Sequence, residues 1–190
     1  MRAIRKIIQQ IEKKAQANDL LFKIYARPYK KTVAKEIKLG NINSEDVVLN
    51  IGCGALPFTA YYIHKLSGAK VIAVDYDKNA ILEAQKLMSK LKITEEQIEF
   101  LHLAADRALE KCNYSKVLAA LQTEGKNDIY KKIKLIKDKK IKKLLIREPR
   151  KKFYNAYDKL ELPRGAVFSK AKQNFLTFDR TLCFDFEGSL

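Results

Sequence analysis

The sequence predicts an α/β fold: a doubly wound, mostly parallel seven-stranded sheet with a C-terminal antiparallel hairpin and an N-terminal helical extension. Three observations carry this. Between residues 46 and 146, short apolar runs alternate with amphipathic helical stretches, the pattern of βαβ units with right-handed crossovers. The apolar runs are nearly continuous, as strands are when helices cover both faces of a sheet. After Pro149 the helical pattern stops, and two strand-like stretches follow with only a short connection, which makes a hairpin.

The elements follow in order. Ile4, Ile7, Ile8, Ile11 and Ala15 recur at helical spacing between Lys and Gln, so the chain opens on an amphipathic helix. A second helical stretch begins near Asp19, a suitable cap. Pro28 interrupts it, Tyr29 to Leu39 resumes it with Val33 and Ile37 on one face, and Gly40-Asn41 stops it. Strands are expected over 47–51, 70–75, 97–103, 115–121 and 141–146, with helices over 58–66, 80–91 and 126–137. The hairpin strands are expected from Gly165 to Ser169 and from Phe178 to Phe184, with Lys170 to Asn174 as their loop. Residues 1–40 therefore read as a helical extension, and 41–190 as a single α/β domain.

Composition narrows the function classes. With 190 residues and 47% hydrophobic content, the chain can bury a core without staples. No apolar run approaches the ~18 residues of a membrane span, and the basic N-terminus lacks a signal-like apolar stretch. Cys53, Cys112 and Cys183 are odd in number and scattered, which excludes a disulfide framework and a zinc site and fits a reducing cytoplasm. The net charge is +16, from 38 basic and 22 acidic residues. It is uneven: +8 in residues 1–40, −2 in 41–125 and +10 in 126–190. Most of the cations are lysine, the signature of solvated faces, and Lys131 to Lys143 reads as one. The mildly acidic middle suits a small-molecule site. The basic ends leave RNA open as a partner without favouring it.

The chemistry lies in Asn50-Ile51-Gly52-Cys53-Gly54-Ala55-Leu56-Pro57-Phe58-Thr59. Strand, glycine turn, then helix is the layout of a nucleotide-binding βαβ unit. Gly52 and Gly54 let backbone approach a ligand where a Cβ would clash, and Pro57 suits a first helical turn. The next strand ends in Asp75, which can accept hydrogen bonds from ribose hydroxyls. The third glycine of a dinucleotide turn is replaced by Pro57, which argues against NAD and a phosphate cradle. No GxxxxGK[ST] loop is present, which excludes ATP binding by that route.

Val48-Leu49-Asn50-Ile51-Gly52-Cys53-Gly54, with Val71-Ile72-Ala73-Val74-Asp75-Tyr76-Asp77, resembles the first two motifs of class I S-adenosylmethionine-dependent methyltransferases. The resemblance spans roughly residues 45–147 and implies a Rossmann-like domain with S-adenosylmethionine as cofactor. It assigns cofactor contact to Asn50, Gly52, Cys53 and Gly54, the ribose to Asp75, and the adenine to Tyr76 and Asp106. The family usually carries an acid where Asn50 stands and a glycine where Leu56 stands. Gly52 to Thr59 is similar to the glycine turn of nicotianamine synthase and its prokaryotic relatives, which transfer the aminocarboxypropyl group of the same cofactor.

The acceptor side is marked more faintly. In such sheets it is built by loops at the carboxyl ends of the strands, here Gln122, Thr123 and Glu124, then Arg147 and Glu148. Glu124 and Glu148 are the candidate bases. Tyr25 and Tyr29, in helices that cover the pocket in similar proteins, join Gln122, Thr123 and Arg147 as candidate acceptor contacts. No Asn-Pro-Pro-aromatic segment follows strand four, which counts against base N-methylation. His64 and His102 read as packing residues. The expectation is thus an S-adenosylmethionine-dependent methyltransferase with a small-molecule or RNA acceptor. The alternatives are aminocarboxypropyl transfer, and an RNA-binding module with a vestigial cofactor fold.

Overall fold

The computed structural model describes residues 19–136, 143–162 and 164–186, with side chains from residue 26 onward. The expected helix over Ile4 to Ala15 lies outside the described residues. Helix α1 (Asp19–Gly40) leads into β1 (Val47–Ile51), α2 (Phe58–Ser67), β2 (Lys70–Asp75), α3 (Lys78–Lys90) and β3 (Ile98–His102). Then come α4 (Ala105–Lys111), β4 (Lys116–Ala119), α5 (Lys126–Leu135), β5 (Lys143–Pro149), a 3₁₀ turn (Lys151–Phe153), β6 (Ser169–Lys172) and β7 (Phe178–Asp185).

The strands form one seven-stranded sheet in the order β3-β2-β1-β4-β5-β7-β6. Neighbours from β3 to β5 pair in parallel, and β7 runs antiparallel to both β5 and β6. The expected doubly wound architecture is therefore the observed one. Each face of the sheet carries its own core. On one, Val48, Ala73, Leu118 and Leu145 meet Val33, Ala60, Ile63 and Leu87 from α1, α2 and α3. On the other, Leu49, Val74, Val117 and Ile146 meet Ala108, Ile129 and Ile133 from α4 and α5. Burial on both faces is why these strands read as continuous apolar runs.

Three expectations need correction. Pro28 does not break the helix, which runs through it from Asp19 to Gly40. A mid-helix proline costs roughly 3 kcal/mol, but Ala26, Thr32, Val33 and Glu36 around it are buried, and that packing outweighs the lost hydrogen bond. Helix α4 is an addition: seven residues are too short to show a helical period, and only Ala108 and Leu109 are buried. The first hairpin strand is displaced. Val167, expected inside it, is 89% exposed. The strand is instead Ser169–Lys172, starting at the last residue of the expected strand and running into the expected loop. An edge strand needs only backbone pairing, so its polar sequence hid it.

Helix α1, read as an extension, packs on α2, β5, β6 and β7. No helix among the described residues is long and apolar enough to cross a membrane.

Candidate active site

The order of strands reverses between β1 and β4, so a crevice opens at their carboxyl ends, where open α/β sheets bind ligands. The glycine turn fills one side of it. Gly52 has φ +75° and Gly54 φ +65°, a backbone that side chains disfavour. Their roles differ. A Cβ on Gly52 would lie 2.6 Å from Thr123 Oγ1, whereas one on Gly54 would meet no atom within 4 Å. Gly52 is small for the protein's own packing against Thr123. Gly54 faces open space.

The turn is laced to the end of β2. The amides of Gly52 and Cys53 donate to Val74 O at 2.9 and 3.1 Å, and Gly54 N–H donates to Asp75 Oδ2 at 2.8 Å. These three amides are committed within the protein. Asp75 Oδ1 also accepts from Asp77 N–H at 3.1 Å. A carboxylate has about four acceptor positions, so half remain for a ligand. Asp77 caps α3 through the amides of Asn79 and Ala80, which leaves Asp75 to the crevice. The Tyr76 ring beside it is 73% exposed, and His102 Nε2 holds the Tyr76 carbonyl at 2.9 Å. Asp106 is exposed in the first turn of α4, past the end of β3.

Other candidates lie deeper. Asn50 is fully buried in β1; its Nδ2 donates to Leu118 O at 3.3 Å, and its Oδ1 is buried with no hydrogen-bond partner. Cys53 is buried, and burial first, then Asp75, pushes its thiol well above the ordinary range, so it stays protonated. Thr123 is buried under the turn and donates to Ile51 O at 2.9 Å, while Gln122 and Glu124 on the same loop are exposed. The structure therefore keeps Gln122 and Glu124 on the crevice rim and gives Thr123 a supporting place.

Arg147 points into the core, not toward the loops. It is 3% exposed and makes a bidentate pair with fully buried Glu36 of α1, at 2.8 and 2.7 Å. Its Nη1 donates to Thr59 Oγ1 at 3.0 Å, and Thr181 donates to Glu36 at 2.7 Å. The guanidinium also lies 5.9 Å from the Tyr29 ring centre and 5.4 Å from that of Phe178. Tyr29 itself packs on Phe58, the first residue of α2, at 5.0 Å. One ion pair thus ties α1, α2, β5 and β7 together behind the turn. The side chain of Tyr25 lies outside the described residues.

Glu148 is 3% exposed and accepts from Leu160 N–H at 3.0 Å. Burial pushes its carboxyl up, against the opposing pull of that hydrogen bond and of Lys126 and Arg180. Lys126 is a residue the sequence reading missed. It is fully buried, and its Nζ donates to three carbonyls, Leu121, Arg147 and Asp158, at 3.1, 3.0 and 2.7 Å. It thereby pins the β4–α5 loop to the end of β5. Burial lowers it to about 8. The unfolded chain then holds this proton more tightly, so wild-type stability should rise as pH climbs from about 8 toward ~10.4. Lys126→Met should lose that rise and cost about 3 kcal/mol at neutral pH, since three carbonyls lose their donor. Urea melts of both chains across that pH range check it.

No family model matches the chain. It is similar to the L-histidine 2-aminobutanoyltransferase of Yersinia pestis, with 34% identity over 77 residues, 40% of this chain and 29% of that protein. The matched region is thus under a third of that relative's length. A point mutant of the nicotianamine synthase MtNAS, solved with S-adenosylmethionine, superposes with a TM-score of 0.75 at 15% identity, covering 95% of this chain and 72% of that one. The Salinibacter ruber RNA methyltransferase with S-adenosyl-L-homocysteine gives 0.60 at 13% identity, over 84% and 93%. The chain has the class I methyltransferase fold. Within that fold the two glycines, Asp75 and Tyr76 stand at the carboxyl edge where the sheet opens, and the Arg147–Glu36 pair stands behind them.

Proposed function

We propose that the chain binds S-adenosylmethionine and transfers its aminocarboxypropyl group to a small nucleophilic acceptor, with methyl transfer as the second reading. The observation that carries this is the seating of α1 on the segment Phe58-Thr59, through Tyr29 and through Arg147–Glu36. That segment belongs to the Gly52–Thr59 stretch that sets this turn apart from the usual methyltransferase pattern. The likeness to MtNAS supports it, since 95% coverage leaves too few residues out to omit α1. The Yersinia relative, an L-histidine 2-aminobutanoyltransferase, supports it too. The order of the two transfers expected from sequence is thereby reversed.

The residues fit the cofactor. The space at Gly54 admits it, the unused acceptor positions of Asp75 suit ribose hydroxyls, and Tyr76 offers an exposed ring for adenine. Asp106 would take the adenine amino group. The buried Oδ1 of Asn50 lacks a donor that a bound group or its water can supply. The bound cofactor supplies a sulfonium whose γ-carbon or methyl carbon is open to in-line attack by the acceptor's lone pair, the C–S electrons going to sulfur. The chain's work is alignment of that attack and removal of one proton. Glu124, exposed on the loop after β4, is the proposed proton acceptor; Glu148 is enclosed.

Product analysis tests the reading. With S-adenosylmethionine and a set of amines that includes L-histidine, methylthioadenosine should accumulate. Accumulation of S-adenosylhomocysteine would replace the proposal with methyl transfer. No binding of either nucleoside by calorimetry would remove both.

A further inference from the structure

We propose that the basic wing at the carboxyl end of β5 and the amino end of β7 is a binding site for phosphate groups, separate from the glycine turn. Two adjoining cavities lie there, of about 420 and 470 Å³. Arg150, Lys151, Lys152 and Arg180 line the first, beside Tyr154. Lys35 and Lys172 join Arg150 in the second. Asp179 is the acid that both share, against six cations.

The wing is built rather than merely charged. The register shift at Glu148/Pro149 turns the chain as it leaves β5. Arg150 is then fixed at the divide between the cavities: its N–H donates to Thr177 O at 3.0 Å and its Nε to Phe175 O at 2.8 Å. The rest of its guanidinium fork remains for a ligand. Lys35 is held by Lys172 O at 2.7 Å. Arg180, paired in register with Glu148, has a buried Nε with no hydrogen-bond partner. A buried donor without an acceptor is uncommon in a native fold.

Charge and shape select the ligand class. A lone carboxylate would neutralise one of these cations. A phosphate dianion, or successive phosphodiesters, neutralises several, and the arginine fork matches phosphate oxygens in pairs. Tyr154 adds a face on which a base can stack. Such phosphates can come from a free nucleotide or from a nucleic-acid backbone.

The test titrates the full chain with tripolyphosphate and with a single-stranded oligoribonucleotide, at low and raised salt. Wild type should bind at least one probe, more weakly as salt rises. The Arg150→Gln/Arg180→Gln variant should bind at least tenfold more weakly. If Arg150 proves necessary for folding, Lys151→Gln/Lys152→Gln, on exposed positions, should still weaken binding several-fold. Tripolyphosphate binding assigns a small phosphate ligand; binding of the oligonucleotide alone assigns nucleic acid. Binding of neither probe, or equal binding by a folded variant, overturns the proposal. S-adenosylmethionine calorimetry on the same samples reads the glycine turn separately, so either site can fail without the other.

Discussion

Arg147→Met should destabilise the fold by about 3–5 kcal/mol, the usual loss when one partner of a buried ion pair is removed. The substitution leaves Glu36 charged at zero exposure, with Thr181 as its remaining neutral donor. Thr59 loses its donor as well. The pair is not a net gain over apolar packing, because burying two charges costs much of what their attraction returns. The double variant Glu36→Leu/Arg147→Met should therefore recover a large part of the loss. Urea denaturation of the two single variants and the double gives the coupling directly. A loss under about 1 kcal/mol in Arg147→Met, with no coupling, would show that the clasp does not hold α1. Lysine would be a poor substitute, since both carboxylate oxygens are engaged in a bidentate grip.

Asp75→Ala should weaken S-adenosylmethionine binding by about 100-fold. Two hydrogen bonds to a charged acceptor at ~1.5 kcal/mol each amount to about 3 kcal/mol, and 1.4 kcal/mol is a factor of ten. Part of the effect comes through the turn, since Asp75 also fixes the Gly54 amide. The control is Asp77→Ala, which removes the cap of α3. It should cost roughly 1 kcal/mol of stability and leave affinity within about threefold. Calorimetry and thermal melts on both variants separate the two acids. Unchanged affinity in Asp75→Ala would sink the assignment of the crevice.

Much of this molecule was legible in its sequence because the deciding signals are local. The apolar runs at residues 47–51 and 70–75, the glycine turn and the acid ending β2 are read from a few neighbouring residues each, and all stand where expected. What was missed depends on partners far along the chain. Glu36 falls on the stripe Ala26, Tyr29, Val33, Gly40 of α1, and Lys126 on the stripe Ile129, Tyr130, Ile133 of α5. A charge on an apolar stripe is a readable sign of a buried pair, though only the fold names the partner, 111 residues away for Glu36. Gly52 shows the opposite limit. Its smallness was legible, but the reason for it, Thr123 arriving on the loop after the neighbouring strand β4, was not. Strand β6 stayed hidden because an outer strand carries no apolar code.

That outer strand has a consequence for self-association. Its four residues are Ser-Lys-Ala-Lys, mostly exposed, and one of its carbonyls, that of Lys172, is already occupied by Lys35 of α1. A second copy arriving strand to strand would meet like charge and a blocked acceptor, two features by which natural sheets discourage ladder growth. The basic residues at this end of the molecule therefore also serve as a terminus, keeping a sheet with a free edge from becoming a template for others.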